Sequence, residues 1–164
     1  MKSKLQTFFF GKADVSPEAQ RMYADGQQKL REMTSRIESM RKAFTEGGSI
    51  TFDQLNAYIV STPETPMKYE TGKHCFAFRI PCPDPNKIMF YCTFEPPEGE
   101  VAKYGWHEHP DCDEDTLQME GIAEANGENV MPFQLKHFPA GVPHNYGMTA
   151  KGAILVTFTR VIKV

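Results

Sequence analysis

Turn-forming residues divide the C-terminal part of this sequence into short segments, and this division limits the folds that the chain can adopt. The turn signals are Pro81 to Asn86, Pro96-Pro97-Glu98-Gly99, Asn126-Gly127 and Pro139 to Gly141. Between them lie runs typical of strands: CFAFRI, IMFYCTF, the region 103–109, TLQMEGIAEA, MPFQLKHF and the stretch from Ala153 to Val164. Short strands at such regular spacing favour a sandwich or a small barrel. We therefore expect a mainly β domain over residues 63–164, opening with the connector STPETPMKYETG.

Residues 1–62 contain the clearest helical pattern of the chain. Ser16-Pro17-Glu18 provides an N-cap, a proline at the first helical position and an early acid. An apolar stripe with the spacing of one helix face then leads to Gly47-Gly48; it consists of Leu30, Met33, Ile37, Met40 and Phe44. Thr51 and Gln54 resemble a capping box at the start of a second helix. We predict an α-helical N-terminal extension with helices at about 17–46 and 52–60.

The apolar stripe spans barely two heptads, which is short for a free-standing coiled coil. It predicts that the first helix lies on the β domain or on a second copy of that domain. The FFF sequence at residues 8–10 adds apolar surface for a partner subunit to cover, so we expect a homodimer. A helix-turn-helix is not indicated, because the second helix has no basic face to meet phosphates.

Composition excludes several classes of protein. The 164 residues fit one domain with an appendage, and the net charge of -3 argues against a nucleic-acid partner. No run approaches the ~18 apolar residues of a membrane span, and Gly11-Lys12 interrupt the first apolar patch before a signal-peptide core forms. We therefore expect a cytoplasmic protein that binds neither nucleic acid nor a membrane. The cysteines form no C-x-x-C pair and are expected to be reduced; they are Cys75, Cys82, Cys92 and Cys112.

The stretch Gly105 to Glu114, GWHEHPDCDE, carries the strongest chemical signal. Residues two apart in a strand point to the same face, so His107 and His109 are expected to share one space. Pro110 and the acidic residues after it favour a turn, after which Glu114 opens the next strand and returns a carboxylate to the imidazoles. Such a set suits iron, manganese, nickel, copper or zinc. A further candidate, His144, follows the tight turn in FPAGVPHNY.

These residues resemble the two motifs of the cupin superfamily. HEHPDCDEDTLQMEG fits H-x-H-x(3,4)-E-x(6)-G from His107 to Gly121, with a proline after the second histidine as in germin-like forms. FPAGVPHNY fits P-x-G-x-x-H from Pro139 to His144. The resemblance covers roughly residues 88–160 and leaves the helical extension unexplained. Three positions differ from residues common in the motifs: Val101 and Phe133 stand where glycine is usual, and Met148 where asparagine sometimes occurs.

The resemblance implies a jelly-roll barrel, a double-stranded β-helix, holding one divalent metal ion (Fe, Mn, Ni or Zn). The implied ligands are His107, His109, Glu114 and His144. Three neutral imidazoles and one carboxylate leave one or two positions of an octahedral ion open. If the turn is built differently, another carboxylate could take the place of Glu114; the alternatives are Asp111, Asp113 and Asp115.

Weaker signals surround these motifs. Glu108 is expected to face away from the histidines, and no catalytic residue outside the ligands can be named. Five residues are weak candidates for lining a pocket, although core packing is the ordinary interpretation of such side chains; they are Trp106, Tyr146, Tyr91, Phe133 and His137.

The function implied is a metal-dependent enzyme acting on a small polar metabolite. A dioxygenase-type reaction or an isomerase- or decarboxylase-type reaction fits such a site. The alternative is a non-catalytic module that binds a metal or small ligand and senses it, because many functions share one fold. A purely structural protein is the third possibility.

Overall fold

The computed structural model describes residues 15–58 and 68–162. The FFF sequence at residues 8–10 lies outside these ranges, as do residues 59 and 60 of the predicted second helix. The described part begins with two helices, α1 (Pro17–Glu46) and α2 (Phe52–Tyr58). Ten strands follow: β1 (Tyr69–Gly72), β2 (Cys75–Ile80), β3 (Lys87–Phe94), β4 (Ala102–His107), β5 (Cys112–Glu120), β6 (Ala123–Ala125), β7 (Glu128–Val130), β8 (Leu135–Phe138), β9 (His144–Met148) and β10 (Gly152–Arg160).

Both helices begin at the residues that the capping signals predict. The Ser16 hydroxyl accepts a hydrogen bond from the Ala19 amide at 3.2 Å at the start of α1. At α2, the Thr51 amide donates to Gln54 Oε1 at 2.8 Å and the Gln54 amide donates to Thr51 Oγ1 at 3.2 Å, which is a complete capping box. Helix α1 ends before Gly47, whose φ of 88° reverses the chain direction at little steric cost.

The strands form two antiparallel sheets, as the sequence predicts. The six-stranded sheet has the order β1-β2-β3-β10-β5-β8, and the four-stranded sheet has the order β4-β9-β6-β7. Strand β10 lies inside the larger sheet, where Val156 pairs with Phe90 of β3 and with Thr116 of β5. Alternate residues of β3, β5 and β9 are buried, so one face of each strand is directed to the interior.

A single apolar core joins the two sheets with the C-terminal end of α1 and with α2. Met40 and Phe44 of α1 and Leu55 of α2 belong to this core, together with Phe94 and Phe158 of the sheets. The apolar stripe of α1 is thus buried at its C-terminal end, while Leu30 is half exposed. The chain divides into two compact units, and the boundary between them lies within α1, between Ser35 and Arg36.

The structure corrects several of the strand predictions. Tyr69–Gly72 form strand β1, although they lie in the segment predicted as a connector. The run TLQMEGIAEA is two strands, β5 and β6, because the chain turns at Gly121, where φ is 80°. Only residues 135–138 of MPFQLKHF form a strand.

The four cysteines are free thiols, as the sequence predicts, and all but Cys82 are buried; they are Cys75, Cys82, Cys92 and Cys112. Burial raises the pKa of Cys92 to about 12, so this thiol is un-ionised near pH 7.

Within residues 15–58 and 68–162, neither helix combines the length and the apolar character needed to cross a bilayer.

Candidate metal centre

The structure brings the four predicted ligands together inside the sheets. His107 ends β4, His109 follows two residues later, Glu114 lies in β5 and His144 begins β9. One potential ligand atom from each side chain lies within 4.8 Å of those of the other three. All four residues are buried, which is unusual for three histidines and a glutamate unless they bind one another or an ion.

Backbone carbonyls fix the orientation of each imidazole. His107 Nδ1 donates to the Gly105 carbonyl at 2.6 Å, and His144 Nδ1 donates to the Val142 carbonyl at 2.9 Å. His109 Nδ1 donates at 2.8 Å to the carbonyl of Ile50, in the segment between the two helices. A carbonyl only accepts hydrogen bonds, so each Nδ1 carries the proton and, in the neutral ring, each Nε2 is left with its lone pair.

Glu114 is oriented by a neighbour on its own strand. The Thr116 hydroxyl donates to Glu114 Oε1 at 2.8 Å. The other oxygen, Oε2, lies 3.1 Å from His109 Nε2 and 2.8 Å from His144 Nε2. The ring centroid of His107 is 4.5 Å from that of His144 and 5.2 Å from that of His109, so the third imidazole closes the group.

The electrostatics show how strongly these side chains are coupled. Burial lowers the pKa of His107 to about 3, so its ring is neutral near pH 7. Burial alone would raise the pKa of Glu114, but the hydrogen bonds from His109 and His144 outweigh it and hold that pKa well below its usual range. Burial alone would likewise lower the pKa of His144, but the hydrogen bond to Glu114 reverses the shift and raises it.

These contacts are compatible with a bound divalent cation. Without a cation, the short approach of two Nε2 atoms to Glu114 Oε2 requires a proton at each contact, because lone pairs otherwise face one another. A metal ion replaces such protons when it binds. The three nitrogens and one carboxylate oxygen suit iron, manganese, nickel or zinc, and the carbonyls and Thr116 supply the outer hydrogen bonds that metal ligands require.

Aromatic rings hold the imidazoles from outside the group. The Phe138 ring stacks on His144, with centroids 4.2 Å apart and planes 7° apart. The Phe158 ring meets the edge of His109 at 4.9 Å, and the Phe44 ring of α1 meets His107 at 4.8 Å. The imidazoles are therefore surrounded by apolar aromatic rings, and this apolar environment strengthens the electrostatic interactions among them.

A small, mainly apolar cavity lies beside the four side chains. Its volume is about 30 Å³, room for about two water molecules. Every residue of its wall is at most 8% exposed. The wall consists of Met40, Phe44, Leu55, Thr71, Ala77, Phe90, Cys92, Tyr104, His107, Glu114, Tyr146, Ile154, Val156 and Phe158.

The three alternative carboxylates are engaged elsewhere. Asp111 Oδ1 accepts a hydrogen bond from the Phe52 amide at 2.8 Å. Asp113 Oδ1 accepts from the Ala140 amide at 2.9 Å, and Asp115 pairs with His137 at 2.7 Å. Alternation along β5 explains this arrangement, since Glu114 is directed inward while Asp113 and Asp115 are directed outward.

Of the five weak pocket candidates, Tyr146 lines the cavity and the other four do not. Tyr91 is partly exposed on β3 and His137 is exposed on β8, on the outer side of their strands. Phe133 is exposed in the turn before β8. Trp106 is 55% exposed and borders a separate cleft on the outer face of the four-stranded sheet.

Sequence reasoning missed the contribution of the helical extension to the site. Met40, Phe44 and Leu55 line the cavity, and the Ile50 carbonyl orients His109. The apolar stripe predicted that Met40 and Phe44 are buried against the β domain or a second copy of it, but no sequence pattern indicated that they line the cavity beside the histidines.

The sequence and the structure were compared with those of known proteins. No family model and no curated protein matches the sequence. An RmlC-like cupin from Shewanella frigidimarina NCIMB 400 is similar in structure, with a TM-score of 0.52 and 16% identity over 63% of this chain and 91% of that chain. KdgF from Halomonas sp. has a TM-score of 0.49 and 14% identity over 62% and 94% of the two chains. A predicted oxalate decarboxylase from Thermotoga maritima has a TM-score of 0.47 and 14% identity over 63% and 100%.

The structural likeness and the motif residues agree. The structure is similar to that of a cupin over 63% of this chain, and the histidines and glutamate of both motifs meet in the interior of the β domain. The chain has the cupin fold.

Proposed function

We propose that this protein is a metal-dependent enzyme that binds one divalent ion through His107, His109, Glu114 and His144. The observation that carries the proposal is the convergence of four ligand atoms within 4.8 Å in a buried site. Carbonyl partners that leave every Nε2 free to bind a metal support it further.

The chain prepares this site for a metal in three ways. The carbonyls of Gly105, Ile50 and Val142 hold the imidazoles in one tautomer, and Thr116 holds Glu114 so that Oε2 is directed at the rings. The apolar wall limits access of water. A bound ion would supply Lewis acidity, or redox chemistry if it is iron.

The reaction that we propose is of the dioxygenase type or of the isomerase or decarboxylase type, on a small metabolite. The phenol groups of the cavity are hydrogen-bonded within the protein. Tyr104 OH lies 2.6 Å from Thr71 Oγ1, and Tyr146 OH donates to Gln118 at 2.7 Å. Burial raises the pKa of both tyrosines, so both phenols are neutral near pH 7 and neither acts as a base.

A second candidate is a sensor that binds a metal or a small ligand without turnover. The small volume of the cavity favours it, because about 30 Å³ is far below the roughly 300 Å³ of an ordinary metabolite pocket. The helices that cover the cavity would transmit its occupancy. Turnover of a substrate by the metal-loaded protein would support the enzyme and contradict the sensor.

Elemental analysis of untagged protein tests the metal site. We expect about one iron, manganese, nickel or zinc per chain. The double variant His107→Ala/His109→Ala should lose the metal and stay folded, because the ligands project into the interior. The control is His74→Ala/His137→Ala, which removes two histidines outside the site and should retain the metal. Equal metal content in both double variants would refute the assignment.

We also propose that the protein is a homodimer. Apolar side chains of α1 support this proposal: Met22 is 70% exposed and Leu30 is 50% exposed. Burial of such surface against a second copy stabilises a dimer.

A further inference from the structure

The segment 36–58 closes the metal cavity on one side. Met40 and Phe44 belong to the last turns of α1, Leu55 belongs to α2, and all three side chains line the cavity. They are nearly inaccessible to solvent, with Leu55 at 1% exposure. The two sheets provide the rest of the wall, so removal of these three side chains would open the cavity on the helical side.

Phe44 of this segment packs directly against the proposed ligands. Its ring centroid is 4.8 Å from that of His107, 6.2 Å from that of His109 and 5.0 Å from that of Tyr104. The ring therefore occupies space beside two proposed ligands, where an exogenous molecule bound to the metal would otherwise extend.

The segment is fastened to the strand end that carries the histidines. The Ile50 amide donates to the Glu108 carbonyl at 3.0 Å, and the Glu108 amide donates to the Gly48 carbonyl at 3.0 Å. The Phe52 amide donates to Asp111 at 2.8 Å. Because Ile50 also accepts from His109, the segment cannot move away without releasing that imidazole.

From this arrangement we infer that Phe44 and Met40 determine the size of the ligand that reaches the metal. The native protein admits molecules of a few atoms and excludes larger chelators. The inference rests on the proposed metal site and deepens it, since it makes the helical extension a selectivity element of that site.

The test uses full-length protein loaded with Co²⁺, with absorption spectra as the readout. Azide is the small probe and 4-nitrocatechol the large one. In native protein we expect azide to perturb the cobalt bands and 4-nitrocatechol to leave them unchanged. In Phe44→Ala we expect 4-nitrocatechol to bind at least about tenfold more tightly, with azide affinity within about twofold of native. Met40→Ala should shift in the same direction and serves if Phe44→Ala does not fold.

The matched control is Phe78→Ala, which truncates a phenylalanine on the outer side of β2 whose ring packs against Tyr91, away from the cavity wall. This variant should behave like native protein toward both probes. Native protein that binds 4-nitrocatechol as tightly as Phe44→Ala would overturn the inference, as would enhanced binding in the control. Failure of azide to bind a stoichiometric cobalt centre would also overturn it. Absence of bound cobalt would instead contradict the proposed function.

Discussion

Phe133 departs from the residue usual in its motif and has a backbone conformation that glycine adopts more easily. It stands where cupin motifs usually have glycine, and its φ is 68°. That conformation is unfavourable for a bulky residue. The Phe133 amide donates to the Gln118 carbonyl at 2.7 Å, a bond that holds the turn against β5. The side chain is 78% exposed and makes little contribution to the core.

Two replacements of Phe133 should therefore differ in stability because of the backbone conformation at this position. Both Phe133→Gly and Phe133→Ala remove the ring, but only alanine keeps a Cβ in the left-handed region. We expect the glycine variant to have a free energy of unfolding about 1 kcal/mol higher than the alanine variant. Urea denaturation of both variants measures the difference. An alanine variant as stable as the glycine variant would show that the turn carries no such strain.

The convergence of the four proposed ligands could be predicted from the sequence, and the groups that orient them only in part. The spacing of His107, His109 and Glu114 around the turn at Pro110 indicated that they meet, although β4 ends at His107 and His109 lies beyond the strand. The carbonyl partners of His107 and His144 lie two residues upstream of each histidine. The partner of His109 is Ile50, 59 residues away in the chain, and no local pattern connects the two. Only the packing of the helical extension against the strands creates that contact.

The close contact between α1 and β4 is possible because Gly105 of β4 has no side chain. A Cβ added at Gly105 would lie 2.8 Å from the Thr45 carbonyl oxygen at the end of α1. The Gly105 carbonyl also holds His107. The close approach of helix and strand is therefore coupled to the orientation of a proposed metal ligand.

Gly105→Ala should disturb both the packing and the site. We expect a loss of about 1–3 kcal/mol in the free energy of unfolding from the steric conflict. Metal affinity should fall at least about tenfold, because His107 loses its fixed orientation. Thermal denaturation and metal titration measure the two effects. Gly26→Ala is the control, since no described atom lies within 4 Å of that added Cβ, and it should leave metal affinity unchanged. Native affinity in Gly105→Ala would contradict the coupling.

Elements with strong end signals were predicted well, and elements without them were not. The capping residues at Ser16 and Thr51 located both helix starts. Strand β1 escaped prediction because its four residues follow a proline-rich stretch and have little alternation. Its place at the edge of the larger sheet comes from pairing with β2, a tertiary interaction that a single short sequence does not encode.

At the scale of the whole molecule, the proposed dimer predicts a concentration-dependent mass. Sedimentation velocity of the native chain should give the mass of two subunits. Leu30→Glu/Met22→Glu places charges on the exposed apolar side of α1 and should shift the protein toward monomer at the same concentration. Glu18→Gln/Glu32→Gln changes charge on the same helix without removing apolar surface and should remain dimeric. A native monomer throughout the micromolar range would refute the proposal.

The proposed metal site links the two sheets, so metal binding should stabilise the entire fold. His107 and His144 belong to strands of the four-stranded sheet, and Glu114 belongs to the six-stranded sheet. An ion that binds only the folded chain at a concentration of 100 times its dissociation constant raises the free energy of unfolding by about 2.7 kcal/mol. For a chain of this length we expect the melting temperature to rise by about 5–10 °C over metal-free protein. Differential scanning calorimetry measures the rise. His107→Ala/His109→Ala should lose it and His74→Ala/His137→Ala should keep it. Identical melting temperatures of fully loaded and metal-free native protein would mean that the ion does not bind preferentially to the folded state.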